Sequence, residues 1–180
     1  MSARIVRFSE FGSASRTRIT PALRRIFFAT SNTQVFAGDA AREAHFDRWL
    51  GRYLRLFPAD CLIAVDDADA PLAYLAGCPD SAAAAPAFAD VGYYADLSPI
   101  YGDYPAHIHV NAAPDQRGRG HGRALIEAYA TGLRQRGARG LHAVTAAGSG
   151  AEAFFMRSGM TRVAALVWRG RPLAALGERL

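Results

Sequence analysis

Apolar and polar positions alternate over residues 4–8, where Ile5, Val6 and Phe8 interleave with Arg4 and Arg7, and this period of two predicts a short first strand. Thr20 followed by Pro21 predicts a helix start, with Thr as N-cap and Pro at the first helical position, and Leu23, Ile26 and Phe27 then form one apolar face. Asp39 is placed to cap a second helix, in which Phe46, Trp49, Leu50, Tyr53, Leu54 and Phe57 recur at steps of three and four until Pro58. That aromatic stripe reads as core. Residues 61–65 form a continuous apolar run, a buried strand, and residues 71–77 return as its hairpin partner across Asp66, Asp67, Ala68 and Asp69. The acidic tip lacks the glycine and distal Glu of a calcium loop, so it reads as a solvated turn.

Residues 106–111 alternate as another strand, Pro114 and Asp115 make a turn, and a helix is expected from about Gly120 to Arg136 with Leu125, Ala128, Tyr129 and Leu133 on one stripe. A strand over 141–145 follows. Ser149 and Glu152 fit a capping box opening a short helix that Gly159 ends, and residues 161–169 form a last long strand. The order of strand, two helices, hairpin, strand, helix, strand, helix and strand predicts a mixed α/β sheet in a single domain over 1–180, with no internal repeat. Residues 78–105 interrupt the pattern, and four of the seven tyrosines (Tyr93, Tyr94, Tyr101 and Tyr104) fall there. Two readings stay open for this inserted segment: rings that plug the core edge, or a lid facing a substrate.

Composition narrows the function classes. Of 180 residues 51% are apolar, enough to build a core and too many for a disordered chain. No apolar run approaches the ~18 residues of a membrane span. The chain turns polar within its first seven residues, so no signal peptide is expected and a cytoplasmic protein is the default. All 21 basic residues are Arg, which excludes lysine Schiff-base chemistry and the phosphate loop ending in Gly-Lys-Ser/Thr. With a net charge of +5 and a pI near 9.7, an anionic ligand suits the chain. No basic block or DNA-binding motif supports nucleic acid as a partner. Cys61 and Cys78 both lie in apolar runs and read as reduced packing residues.

The segment richest in chemistry is Gln116, Arg117, Gly118, Arg119, Gly120, His121 and Gly122, followed by Arg123. A glycine-rich turn between a strand and a helix exposes backbone N–H groups, and the helix dipole adds to their pull on phosphate oxygens. A tight turn that needs glycine only for its conformation is the alternative. The dinucleotide fingerprint does not fit, because Arg123 and Leu125 stand where its last small residue belongs and no acidic residue follows about 20 positions on.

Arg117-x-x-Gly120-x-Gly122, after a strand and before a helix, resembles the acyl-CoA pyrophosphate loop of the GNAT superfamily of N-acetyltransferases. Ala151, Phe154, Phe155, Gly159 and Met160 resemble that superfamily's later signature, Asn-x-x-Ala-x-x-Phe-Tyr-x-x-x-Gly-Phe. Tyr104, Pro105, His107 and His109 ahead of the loop are also similar to the acetyltransferase-like domain that accompanies some O-GlcNAc hydrolases. The resemblance implies a mostly antiparallel central sheet flanked by helices and acetyl-CoA as acyl donor. It also implies direct attack by a primary amine of unknown class. Backbone groups of His109, Val110 and Asn111 would line the pantetheine arm. Gln116 through Gly122 would supply N–H groups to the pyrophosphate, and Arg117 and Arg123 would contact phosphate. Two positions depart from the pattern: the family's Asn falls at Gly148, and its Tyr, often the acid toward the leaving thiolate, falls at Phe155, which has no proton to give.

Acid and base must then come from elsewhere. His107 and His109 lie two apart on a strand and share a face, and an ordinary His titrates near neutrality. Packed, hydrogen-bonded imidazoles are the alternative. No third ligand stands near this pair, so no metal is expected. Asp96 and Asp103 are candidates to meet a substrate amine, and Tyr94, with Tyr93, Tyr101, Tyr104 and Ser149, to replace the missing acid. The reading is an N-acetyltransferase. The alternative is a non-catalytic acetyl-CoA-binding module, and a homodimer stays open.

Overall fold

Burial decides which strands lie inside. In the computed structural model, which describes residues 3–180, β2 (Cys61–Val65) is buried at every position, as its unbroken apolar run requires. Met1 and Ser2, which begin the polar opening of the chain, lie outside the described residues. The remaining strands are β1 (Arg4–Arg7), β3 (Pro71–Cys78), β4 (Ala106–Ala112), β5 (Gly140–Ala146), β6 (Thr161–Trp168) and β7 (Arg171–Arg179). They hydrogen-bond in the order β1-β2-β3-β4-β5-β7-β6. The β1–β2, β2–β3, β5–β7 and β6–β7 pairs are antiparallel, and β4–β5 is parallel. The expected mixed, mostly antiparallel sheet is therefore present. By contacts the chain forms two compact units: residues 3–77 with His109–Tyr129, and Cys78–Ile108 with Ala130–Leu180.

In the first unit, α1 (Ser13–Thr30) buries Ile19, Leu23, Ile26 and Phe27. It begins well before the expected start at Thr20 and Pro21. The Arg16 guanidinium donates to the carbonyls of Phe8 (3.1 Å) and Ser9 (2.7 Å), tying the first turns to the preceding chain. Thr20 is thus inside the helix, where its hydroxyl donates to the Arg16 carbonyl at 2.7 Å instead of capping. The second apolar stripe is helical as expected, in three parts: α2 (Asp39–Phe46), one wide π turn (Asp47–Gly51) and α3 (Arg52–Leu56). At the β2–β3 hairpin, the Asp66 carboxylate accepts from the N–H groups of Ala68 (2.9 Å) and Ala70 (2.8 Å), so the acidic tip is a self-bonded turn. Helix α4 (His121–Gln135) follows β4, and its residues up to Tyr129 belong to this unit.

In the second unit, α4 ends on Gly137 at φ +75°, with Gly137 N–H bonded to the Arg134 carbonyl and Ala138 N–H to that of Leu133. Helix α5 (Gly150–Arg157) has the expected cap: the Ser149 hydroxyl accepts from the Glu152 N–H. Strand β6 is not the last. β7 follows it and lies between β5 and β6, with Ala174, Ala175 and Leu176 fully buried. Leu173-Ala-Ala-Leu176 has no alternation because both faces of β7 are covered there, and its composition favours a helix. The tyrosine-rich segment folds into 3-10 turns at Ala85–Phe88 and Ala95–Ile100. Its rings turn inward: Tyr94 stacks on Phe88 at 5.0 Å, Tyr93 meets Trp168 edge-on at 5.6 Å, and the Tyr101 hydroxyl donates to the Tyr94 carbonyl at 2.7 Å. The rings of Tyr93, Tyr94 and Tyr101 are core in this unit, and Tyr104 is half-buried.

Gly140 marks a close approach. A Cβ there would lie 2.4 Å from the Asp103 carbonyl oxygen and 2.8 Å from that of Glu178, two backbone atoms held by the fold. Gly140→Ala is expected to destabilise the protein by about 1–3 kcal/mol, the usual cost of overpacking. Denaturant unfolding checks this, and an unchanged midpoint would contradict the contact.

Candidate functional site

The site grows from the exit of β4. Its first three residues are buried, and the four from His109 onward are half-exposed. Asn111 donates through Nδ2 to the Tyr74 hydroxyl at 2.9 Å, and Ala113 N–H to the Leu72 carbonyl at 2.9 Å, which anchors the chain as it leaves the sheet. A single 3-10 turn, Pro114–Gln116, reverses direction. Gly118 (φ +75°) and Gly120 (φ +85°) then take left-handed conformations, and α4 opens at His121. A Cβ at either glycine would meet nothing within 4 Å, so glycine is required by the backbone angle and not by crowding.

The first hydrogen bond of α4 runs from Ala124 N–H to the Gly120 carbonyl at 3.0 Å. The N–H groups of His121, Gly122 and Arg123 precede it, so the helix offers them no acceptor, and they carry the positive end of its dipole. Arg117 and Arg119 are exposed beside them. Arg123 is exposed as well, but its Nε donates to Glu127 at 2.8 Å one turn along, which neutralises part of its charge. Gln116 bonds Asp115 through its side chain at 2.9 Å. Loop and helix start together form a concentrated set of donors and cations that can hold a phosphate chain. Val110 lies half-buried between His109 and Asn111 on the strand that leads into them.

The two histidines of β4 have different surroundings. His109 is half-buried, with Nε2 at 3.0 Å from the Tyr53 hydroxyl and its ring met edge-on by Trp49 and Tyr53, both at 5.4 Å. His107 is buried, with Nδ1 at 2.8 Å from the Ser81 hydroxyl and its ring packed against Phe88 and Tyr94. The Tyr94 hydroxyl donates to the Ser81 carbonyl at 2.9 Å, and burial pushes this phenol far above its ordinary range, so its proton is firmly held. Tyr101 is raised for the same reason, to about 12. Asp96 is exposed on its 3-10 turn, and Asp103 is exposed and paired with Arg179 at 2.6 Å.

At α5, Phe155 is buried, and Gly148 adopts φ +73°, a left-handed angle that Asn also tolerates, so the exchange of Asn for Gly keeps the backbone possible. Glu152 was not singled out from the sequence beyond its capping role. Its carboxylate accepts from Gly148 N–H at 2.6 Å and from the Arg162 guanidinium, and that ion pair holds it below the ordinary carboxylate range. Tyr53 and Trp49 were likewise read only as core. The signal that marks them is the contact with His109, which a helical period does not reveal. Among the described residues no group of His, Cys, Asp and Glu side chains is arranged to hold a metal, and no helix is long and apolar enough to cross a membrane.

The family model described as the acetyltransferase (GNAT) family matches residues 23–160. Among solved structures, SsHAT aligns with a TM-score of 0.70 at 22% identity, over 99% of this chain and 98% of that one. PH1933 from Pyrococcus horikoshii OT3 aligns at 0.73 with 12% identity over 99% of each chain. A chain of the NatC complex bound to Gag peptide and CoA aligns at 0.63 with 12% identity, over 100% of this chain and 99% of that one. At such identities the likeness is one of fold. No curated protein matches the sequence at a significant level. The chain belongs to the acetyltransferase (GNAT) family, and its seven-stranded α/β sheet has that fold.

His142 is buried, and desolvation pulls its imidazole down to about 4, although its Nδ1 bonds the Tyr104 carbonyl at 2.8 Å. The folded protein therefore resists charging this ring. The resulting stability is complete above the unfolded value near 6.5 and is lost as pH falls toward 4. The expected loss is about 3 kcal/mol over that window. His142→Gln, which cannot charge, should lose correspondingly less in unfolding experiments across the same range, and equal losses in both proteins would contradict the buried neutral ring.

Proposed function

We propose that this member of the acetyltransferase (GNAT) family moves an acetyl group from acetyl-CoA to a primary amine by direct attack. The observation that carries the reading is the turn from β4 into α4. It sets left-handed Gly118 and Gly120, the early N–H groups of α4 and exposed Arg117 and Arg119 around one place. In this reading the N–H groups from Gln116 to Gly122 hold the pyrophosphate. Arg117, Arg119 and Arg123 balance its charge, with Arg123 held toward it less freely because of Glu127. The half-exposed stretch of His109, Val110 and Asn111 receives the pantetheine arm.

His109 is the better base of the two imidazoles, because it is half-buried on that same stretch, whereas His107 is enclosed by Ser81, Phe88 and Tyr94. Asp96 is exposed and free to meet a cationic acceptor, while Tyr94 spends its hydroxyl on Ser81. Phe155 favours one rival, a module that binds acetyl-CoA without turnover. Thiolate expulsion without a protein acid is slower but open, since a thiol is a better leaving group than an amine. The acceptor panel should include an amino sugar, as the likeness of residues 104–109 to the acetyltransferase-like domain of O-GlcNAc hydrolases suggests. It should also include a polyamine and a peptide with a free N-terminus.

Acetylation of any amine in the panel, read as release of free CoA thiol and acetylated product, supports the enzyme. Acetyl-CoA binding with no turnover across the panel supports the module. Arg117→Ala is expected to weaken acetyl-CoA binding by about 1.5–3 kcal/mol through loss of a charged hydrogen bond. An unchanged dissociation constant would remove Arg117 from the phosphate site.

A further inference from the structure

His109 sits against a helical segment with an unusual turn. Between α2 and α3 the chain widens into a π turn over Asp47–Gly51, a form that is rare overall and frequent at functional sites. A Cβ at Gly51 would lie 3.2 Å from both Asp47 Oδ1 and Phe46 Cε1, a tight approach to two side chains of the same turn. Trp49 within the turn and Tyr53 just after it both present their rings nearly perpendicular to the His109 imidazole, at 81° and 84°. The Tyr53 hydroxyl, on a residue only 1% exposed, lies 3.0 Å from His109 Nε2. The imidazole is thus confined by two rings, and its outer nitrogen is engaged by a group that cannot swing away into solvent.

We propose that Tyr53 is a positioning residue for acetyl transfer: its phenol oxygen accepts the Nε2–H of His109 and so keeps the lone pair on Nδ1, the ring nitrogen nearer the strand. The proposal rests on the reading of His109 as the base. A hydrogen bond at one imidazole nitrogen decides where the proton sits, and so which nitrogen can act. As the amine nitrogen bonds to the acetyl carbonyl carbon, it sheds one proton to Nδ1. The C–S bond of the thioester breaks with its electron pair on sulfur, and the thiolate takes a proton from solvent. The imidazolium returns its proton to solvent, with Nε2–H still donated to Tyr53 throughout. The charge on the ring strengthens that bond, because charge-assisted hydrogen bonds exceed neutral ones.

The test uses the full chain labelled with 15N-histidine, with His109→Gln to assign the signal. Long-range proton–nitrogen spectra of the neutral ring report the tautomer without any acceptor or coenzyme. Wild type is expected to show the Nε2–H form, and Tyr53→Phe a mixture of both forms. With an amine from the panel, Tyr53→Phe should lower kcat about tenfold, a fraction of what acid–base groups usually contribute, and leave acetyl-CoA affinity unchanged. A purely structural Tyr53 would lower the melting temperature without moving the tautomer. An Nδ1–H form in wild type, or a Tyr53→Phe variant matching wild type in both tautomer and kcat, overturns the proposal. Should Tyr53→Phe fail to fold, the wild-type spectrum decides alone. A separate titration showing that wild type does not bind acetyl-CoA would strike the acyl-transfer reading itself, so the two failures are told apart.

Discussion

A helix leaves its first N–H groups without partners inside the helix, and the proposed coenzyme site of this protein depends on that constraint. β4 ends at Ala112 and α4 begins at His121, and the turn between them reaches the helix only through left-handed backbone at Gly118 and Gly120. Those angles cost a glycine its entropy and any other residue its sterics. In return, donors of His121, Gly122 and Arg123 are presented at the positive end of a helix 15 residues long. Anions are the natural ligands of such a place. The strand leading into it is half-exposed from His109 onward, next to the donors of the turn.

Much of this was legible in the sequence, for definite physical reasons. A buried strand such as β2 must be apolar throughout, and the glycines that alternate with Arg between strand and helix mark the left-handed turn at Gly118 and Gly120. The Ser149 cap was legible because its chemistry is local, whereas the reciprocal half of the expected box is absent: Glu152 accepts from Gly148 N–H and not from Ser149 N–H. The beginning of α1 was not, because it depends on Arg16 reaching the carbonyls of Phe8 and Ser9, a tertiary bond that outweighs the usual meaning of Thr20 and Pro21. β7 was missed for the complementary reason: a central strand covered on both faces loses its alternation, and Leu173, Ala174, Ala175 and Leu176 spell a helix in isolation.

The site divides along the same line. Contacts made through the backbone follow from local conformation, so the loop could be read directly. Side-chain pairings follow from the fold. A period of three and four marks Trp49 and Tyr53 as apolar stripe residues, yet their edges meet His109 across the first unit. The tyrosines of the 78–105 segment could have been lid or core, and the burial and hydrogen bonds of Tyr94 and Tyr101, to the Ser81 and Tyr94 carbonyls, place those two in the core. The loss of the family Tyr at Phe155 was plain in the sequence. Its consequence is chemical: Phe155 has no proton to give to a leaving thiolate.

The most direct measurement is a calorimetric comparison of acetyl-CoA with S-acetyl-pantetheine, which keeps the thioester arm and lacks the pyrophosphate and the phosphoadenosine, in wild type and in Arg117→Ala. If the β4–α4 turn holds the coenzyme by its phosphates, acetyl-CoA binds wild type one to one, the truncated thioester binds at least a hundredfold more weakly, and Arg117→Ala weakens only the former. Equal affinity for both, or no binding of acetyl-CoA at millimolar concentration, would contradict the account.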